Sequence, residues 1–125
     1  MKAWLLKKQA KIEEKPLRLE DVPTPHPKDN EIRIKIFACG VCRTDIHIAE
    51  GDLPLRKCPL ILGHEIVGVV DEVGREVKNF KAGDRAGVAW LNSACGECKF
   101  CLSGKENLCP NAKFTGWDVN GGYAE

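Results

Sequence analysis

No stretch of this 125-residue chain is apolar for long enough to span a bilayer; its longest apolar runs are short, as in Leu60 to Leu62 or Ile66 to Val70. The opening, MKAWLLKKQAKIEEK, turns to charge too early for a secretory hydrophobic core. Neither sign of charge dominates: 19 Lys and Arg face 18 Asp and Glu, interspersed, for a net charge of +1. That balance offers no argument for nucleic acid, a membrane surface or an acidic substrate as partner. There is no internal repeat, low-complexity segment or domain linker. There is also no G-x-G-x-x-G and no alternating strand–helix half, so these residues contain no dinucleotide-binding unit.

What remains is a chain of 43% hydrophobic and 30% charged residues, ordinary for one soluble globular domain with its own core. It carries seven cysteines. Without a signal sequence the expected compartment is a reducing cytoplasm, where cysteines point to metal or catalysis more than to disulfides. Met1 to Leu6 and Leu17 to Val22 read as short strands, the second closed by Pro23, Pro25 and Pro27. Glu31 to Ala38 is the clearest strand, with Ile32, Ile34, Ile36 and Ala38 on one face and Glu31, Arg33 and Lys35 on the other. Gly40 breaks that run, and Arg43 to Glu50 reads as two helical turns ending before Gly51. His64 to Val73 reads as a buried strand in which Gly68 leaves room for a close neighbour. Arg85 to Leu91 is a further strand, Asn92 to Pro110 has neither period, and Phe114 to Glu125 reads as glycine-spaced extended chain. Short strands, frequent Gly and Pro, and little helix predict an all-β barrel or strongly β-rich fold.

The strongest isolated signal is Cys95-x-x-Cys98-x-x-Cys101 followed by Cys109. Four soft ligands in one short loop can close a tetrahedron of thiolates around Zn²⁺, which has no geometric preference of its own. Gly96 and Gly104 let the backbone turn tightly enough to aim the sulfurs inward, and Lys99 and Lys105 offset part of the charge. The loop has few apolar residues, so metal must order it; structural zinc supplies roughly 10–16 kcal/mol of apparent binding energy as folding energy. An iron–sulfur cluster is the rival, because a later Cys109-Pro110 also ends ferredoxin motifs, although the last spacing is longer than theirs. Disulfides or free thiols are the third reading.

A second group, Cys42, His64 and Glu65, is weaker as bare spacing. A cysteine after a strand is more often a small buried hydrophobe, and a lone His-Glu pair is more often a hydrogen-bonded surface pair. Its surroundings favour chemistry. Asp45 can accept a bond from the far nitrogen of His64, the support that metal-binding histidines usually have. Thr44 and His47 place a hydroxyl and a titratable ring near Cys42 as a proton path. The plainer alternatives are helix capping for Thr44 and Asp45 and a solvated His47.

Three motifs in register, Gly40-Val41-Cys42-Arg43-Thr44-Asp45-Ile46-His47, Gly63-His64-Glu65 with its valine-rich strand ending at Gly74, and the four-cysteine loop, resemble the zinc-dependent medium-chain alcohol dehydrogenases. The likeness runs from Met1 to the final Gly-Gly-Tyr-Ala-Glu. It implies a mainly β, GroES-like distorted barrel with short helices over residues 1–125, and a projecting zinc lobe at about 92–110. It implies that Cys42 and His64 hold a catalytic zinc, with Glu65 as alternate ligand or electrostatic partner, and that Cys95, Cys98, Cys101 and Cys109 hold a structural zinc. Arg43 would face the pyrophosphate of NAD or NADP. Thr44 would take the alcohol's proton, His47 would pass it through the cofactor ribose to water, and Asp45 would orient His64. Leu53 and Trp90 would line a pocket for small alcohols, oxidised to aldehydes or ketones. Cys39 and Cys58 match no ligand position and read as packing residues. Homo-oligomers are common in the family.

The departure is that a third protein ligand to the catalytic zinc and the nucleotide-binding domain both fall beyond Glu125, which leaves the catalytic site incomplete. Three functions follow as expectations. One is the catalytic domain of an NAD(P)-dependent alcohol dehydrogenase, inactive as this chain alone. The second is a non-enzymatic, zinc-stabilised β-barrel for binding or assembly. The third, and least favoured, is an iron–sulfur electron carrier.

Overall fold

The computed structural model describes residues 1–125 and is built from strands with one α-helix. The order is β1 (Lys2–Leu6), β2 (Leu17–Asp21), β3 (Ile32–Gly40), α1 (Arg43–Glu50), β4 (Leu60–Ile61), β5 (Glu65–Val73), β6 (Arg85–Val88), β7 (Leu91–Ser93) and β8 (Lys113–Phe114). Three antiparallel sheets result, ordered β2-β1-β4, β3-β5-β6 and β7-β8. This is the expected β-rich architecture.

β3 and β5 form the longest ladder, from Ile32↔Val73 to Gly40↔Glu65, with irregularities beside Arg33 and Phe37. Phe37 stays 70% exposed on the outer face with Lys35, as the alternation places it, while the irregularity beside it leaves Ala38 exposed as well, off the expected inner face. Gly68 has the close neighbour its sequence position suggested, because a Cβ there would overlap the backbone carbonyl of Lys35. β3 runs past the expected Ala38 and ends at Gly40, which is still paired with Glu65, and its missing side chain leaves the space taken by the Glu65 carboxylate.

The last residues join the sheets. Gly121 and Tyr123 donate backbone N–H groups to Ile61 and Leu62, and Trp4 N–H donates to Tyr123 (2.8 Å). Glu125 donates to Lys2, and Ile36 of β3 donates to Glu125. The segment is therefore less regular than an extended strand, but it stitches β1, β3 and the β4 region together. Beneath it lies a core of Leu6, Ile48, Ala49, Leu60 and Leu62, with Ala3, Leu5 and Ile61 beside it. Full burial of one large aliphatic side chain such as Leu6 or Ile48 stabilises by about 1.5–3 kcal/mol.

The strand expected over Arg85 to Leu91 divides. The carbonyls of Ala89 and Trp90 accept from the hydroxyl and the N–H of buried Thr115, at 2.8 and 2.9 Å. This bond pair turns the chain out of one sheet and into β7–β8, the base of the cysteine loop. Within that loop the backbone forms two short 3-10 turns, Cys101–Ser103 and Glu106–Leu108.

The glycine geometry makes a direct stability prediction. Gly68→Ala is expected to lose roughly 1–3 kcal/mol in urea unfolding, because its Cβ meets backbone that cannot yield. Gly83→Ala is expected to lose about 1 kcal/mol, from its positive φ (+94°) alone, since open space surrounds it.

Candidate functional site

Cys42, His64 and Glu65 converge from two places in the chain: the start of α1, and the adjacent His64 and Glu65 where the chain enters β5. Their ligand-type atoms lie within 4.8 Å of one another. Cys42 is the N-cap of α1, in extended conformation, and Asp45 reaches back to accept its backbone N–H at 2.9 Å. Asp45 thus acts as the capping carboxylate at the helix start, while Cys42, not Thr44, occupies the cap position. The helix ends at Gly51, whose N–H bonds to the His47 carbonyl at 3.1 Å in a left-handed turn (φ +97°).

Asp45 is 3% exposed and does more than cap. Its Oδ1 accepts the Gly63 N–H at 3.0 Å, and its Oδ2 accepts the Tyr123 hydroxyl at 2.9 Å. His64 Nδ1 lies 3.3 Å from Asp45 Oδ1, yet it is buried without a properly aligned hydrogen bond. The pairing expected between these side chains is therefore one of proximity. An incompletely satisfied, buried imidazole beside a thiol and a carboxylate fits a divalent metal of the zinc type.

Tyr123 had no assigned role in the sequence. Its only sequence signal is that it is the sole tyrosine, set beside Gly121 and Gly122. Burial, reinforced by the Asp45 carboxylate, holds its phenol far above the ordinary range, so it remains a hydrogen-bond donor.

The other expected site residues fall into place unevenly. Thr44 Oγ1 is 3.7 Å from Cys42 Sγ. His47 Nδ1 is 2.7 Å from Asp52 Oδ2, a partner the sequence did not suggest. That bond, with the neighbouring charges of His47, Lys11 and Arg43, holds the Asp52 carboxyl below its usual range. Arg43 opens α1 and forms no ion pair of its own. Trp90 is edge-on to the His64 ring at 4.8 Å and stacks on Phe114 (4.9 Å) and Trp117 (6.0 Å). Arg56 lies over the ring of Trp117 at 3.5 Å. Leu53 packs on the same core cluster as Trp90. Phe114, Trp117 and Arg56 extend this aromatic wall beyond the residues singled out in the sequence.

The four-cysteine loop draws its sulfurs into one cluster. Cys98–Cys101 and Cys95–Cys109 are each 3.5 Å apart, and Cys95–Cys101 is 3.9 Å. A tetrahedron with metal–sulfur bonds of about 2.3 Å has edges of about 3.8 Å, so the spacing suits a single ion. It is far from the S–S length of about 2.05 Å that a disulfide needs, and all seven cysteines are free. Gly96 (φ +77°) and Gly104 (φ +71°) take the positive angles the turns require. Backbone N–H groups of Glu97 and Cys98 lower the Cys95 thiol, whereas burial raises Cys101. Cys39 is a half-buried thiol raised by burial, and Cys58 bonds the Lys7 carbonyl; neither joins a cluster.

The alcohol dehydrogenase GroES-like domain model matches residues 28–125. The chain is 54% identical over 112 residues to an alcohol dehydrogenase of Geobacillus stearothermophilus, covering 89% of this chain and 33% of that protein. It is 47% identical over 130 residues to the probable alcohol dehydrogenase AdhA of Mycobacterium tuberculosis, covering 100% and 38%. The cobalt- and zinc-bound thermostable alcohol dehydrogenase from Pyrobaculum aerophilum superposes with a TM-score of 0.91 at 31% identity, over 100% of this chain and 37% of that one. The chain thus spans about a third of the length of the relatives it matches. No helix is long and apolar enough to cross a membrane.

The His47–Asp52 pair makes a pH prediction. Because the folded carboxyl titrates below its unfolded value, its contribution to stability is present above about pH 4 and fades as the pH falls through the folded pKa. In His47→Ala, carboxyl NMR titration is expected to show Asp52 moving up toward the ordinary range; an unchanged midpoint contradicts the assignment.

Proposed function

The chain belongs to the alcohol dehydrogenase GroES-like domain family, and from that premise we propose that it is the catalytic domain of a zinc-dependent, NAD- or NADP-using alcohol dehydrogenase. The observation that carries this reading is the convergence of Cys42, His64 and Glu65 within 4.8 Å, beside the aromatic ring of Trp90. Cys42 and His64 would hold the catalytic zinc. Glu65 is an exchangeable third donor or electrostatic partner, admitted by the empty space at Gly40. Cys95, Cys98, Cys101 and Cys109 would hold a second, structural zinc, and the cysteine loop at about 92–110 is the projecting lobe that it orders.

Zinc supplies Lewis acidity, which makes an alcohol hydroxyl easier to deprotonate and a carbonyl easier to reduce. The chain's own residues do the rest. Trp90 closes one side of the site and, with Leu53, restricts it to small alcohols. Thr44 would take the proton from the alcohol hydroxyl, and half-exposed His47, beside the ribose of a bound cofactor, would pass it on to water. Arg43, free of ion pairs, faces the cofactor pyrophosphate. A bound nicotinamide cofactor would supply the hydride acceptor, so that an alcohol giving its proton to Thr44 would leave as aldehyde or ketone. Asp45 keeps His64 in place throughout.

No glycine fingerprint for a dinucleotide occurs in these 125 residues. The reaction therefore needs a nucleotide-binding wall and a further metal ligand from outside them. A cytoplasmic setting suits the free thiols.

Metal analysis of the 125-residue chain is expected to find about one chelator-resistant zinc, in the four-cysteine lobe, and a second that exchanges readily. Two equally resistant ions would contradict this. The chain alone is expected to give no alcohol-dependent reduction of NAD⁺ or NADP⁺. Turnover by a monodisperse sample, abolished by His64→Ala, would show that these residues suffice.

A further inference from the structure

Asp45 is a buried carboxylate with donors from two neighbouring backbone positions and one distant side chain. Cys42 N–H and Gly63 N–H come from the segments that carry the proposed ligands. The third donor, the Tyr123 hydroxyl, arrives from 78 residues further along the chain. It shares Oδ2 with Cys42 N–H, while Oδ1 faces His64 Nδ1. Removing the hydroxyl would leave Oδ2 with the Cys42 amide alone, while the Gly63 N–H still holds Oδ1. The carboxylate would be held less tightly at the oxygen that fixes the Cys42 turn, and its tilt would carry over to the His64 ring beside Oδ1.

The ring of Tyr123 acts on the same residues from another side. A Cβ at Gly63 would lie only 2.6 Å from Tyr123 Cδ1, so the ring fills the space glycine leaves directly before His64. Backbone bonds fix it there: Tyr123 N–H donates to Leu62 at 2.9 Å, and its carbonyl accepts from Trp4 at 2.8 Å. The phenol is thus held at a set distance from Asp45 by the barrel itself.

We propose that Tyr123 is a positioning residue for the Cys42–His64–Glu65 metal site, acting through Asp45 without touching metal or substrate. It rests on the reading above that this group holds a metal. Outer partners of this kind typically govern metal affinity by 10–100-fold.

The test uses the 125-residue chain with its lobe filled by zinc, titrated with Co²⁺ and read by the thiolate-to-cobalt absorption band. Tyr123→Phe, which keeps the ring, is expected to weaken Co²⁺ binding about 10-fold and to alter the ligand-field spectrum. The double variant with Asp45→Asn is expected to bind no more weakly than Asp45→Asn alone, because the effect travels through that carboxylate. Parental affinity and spectrum in Tyr123→Phe, even with a lowered melting temperature, would overturn the proposal and leave the metal site standing. A parent that shows no thiolate band would overturn both. The sole tyrosine offers a second measurement that needs no mutation. With 3-fluorotyrosine incorporated, the single ¹⁹F resonance is expected to move as Zn²⁺ enters the Cys42 site and to stay still while the lobe fills. A resonance indifferent to the Cys42 site would overturn the proposal.

Discussion

The carboxylate of Asp45 is the constraint on which the site depends. A charge 3% exposed is tolerable only when its lone pairs are occupied, and a backbone N–H from each ligand-bearing segment occupies one. The start of α1, the turn before β5 and the closing segment of the barrel therefore meet at one group. None of the three is a regular strand or helix interior: the α1 start follows a strand end, Gly63 takes a positive φ of +93°, and the residues around Tyr123 form no regular strand. The hydrogen bonds to Asp45 tie these three pieces of backbone into one corner, with the proposed ligands on its surface.

The two candidate metal groups differ in how they are assembled. The four cysteines lie within one loop, the outermost pair 14 residues apart, and tight glycine turns suffice to bring them together. Such a site closes locally and can contribute its binding energy to folding. Cys42 and His64 sit on different elements, and the β3–β5 ladder, α1 and the Asp45 corner must all form first. The site can then keep one side open, which a reaction requires, because its shape is maintained by the barrel and not by the ion. The aromatic wall of Trp90, Phe114 and Trp117 links the groups physically: it begins against His64 and ends at the base of the cysteine lobe.

Much of this was legible in the residues. Alternation in β3 as far as Phe37, a strand over β5, the helix before Gly51 and the cysteine spacing all depend on near neighbours, and all appear where expected, although β5 buries only one face and leaves Val67 54% exposed. Errors arose where a distant partner decided. Gly40 does close β3, but only after pairing with Glu65, whose carboxylate takes the space its missing side chain leaves. Arg85 to Leu91 looks like one strand, but Thr115 captures two carbonyls and turns the chain at Ala89 and Trp90. Asp52 as partner of His47 lay close in sequence, yet nothing distinguished it from any other loop carboxylate.

The amino-acid sequence by itself determined the β-rich class, the local four-cysteine cluster and the identity of the residues with metal-binding chemistry, because periodicity and ligand spacing are short-range properties. Only the tertiary structure decided that Tyr123 meets Asp45, that Trp90 meets His64 and that Cys42, His64 and Glu65 share one corner. Those contacts depend on strand register and on how the last residues close the barrel. Both are set by long-range packing and hydrogen bonding, which no local pattern of residues encodes.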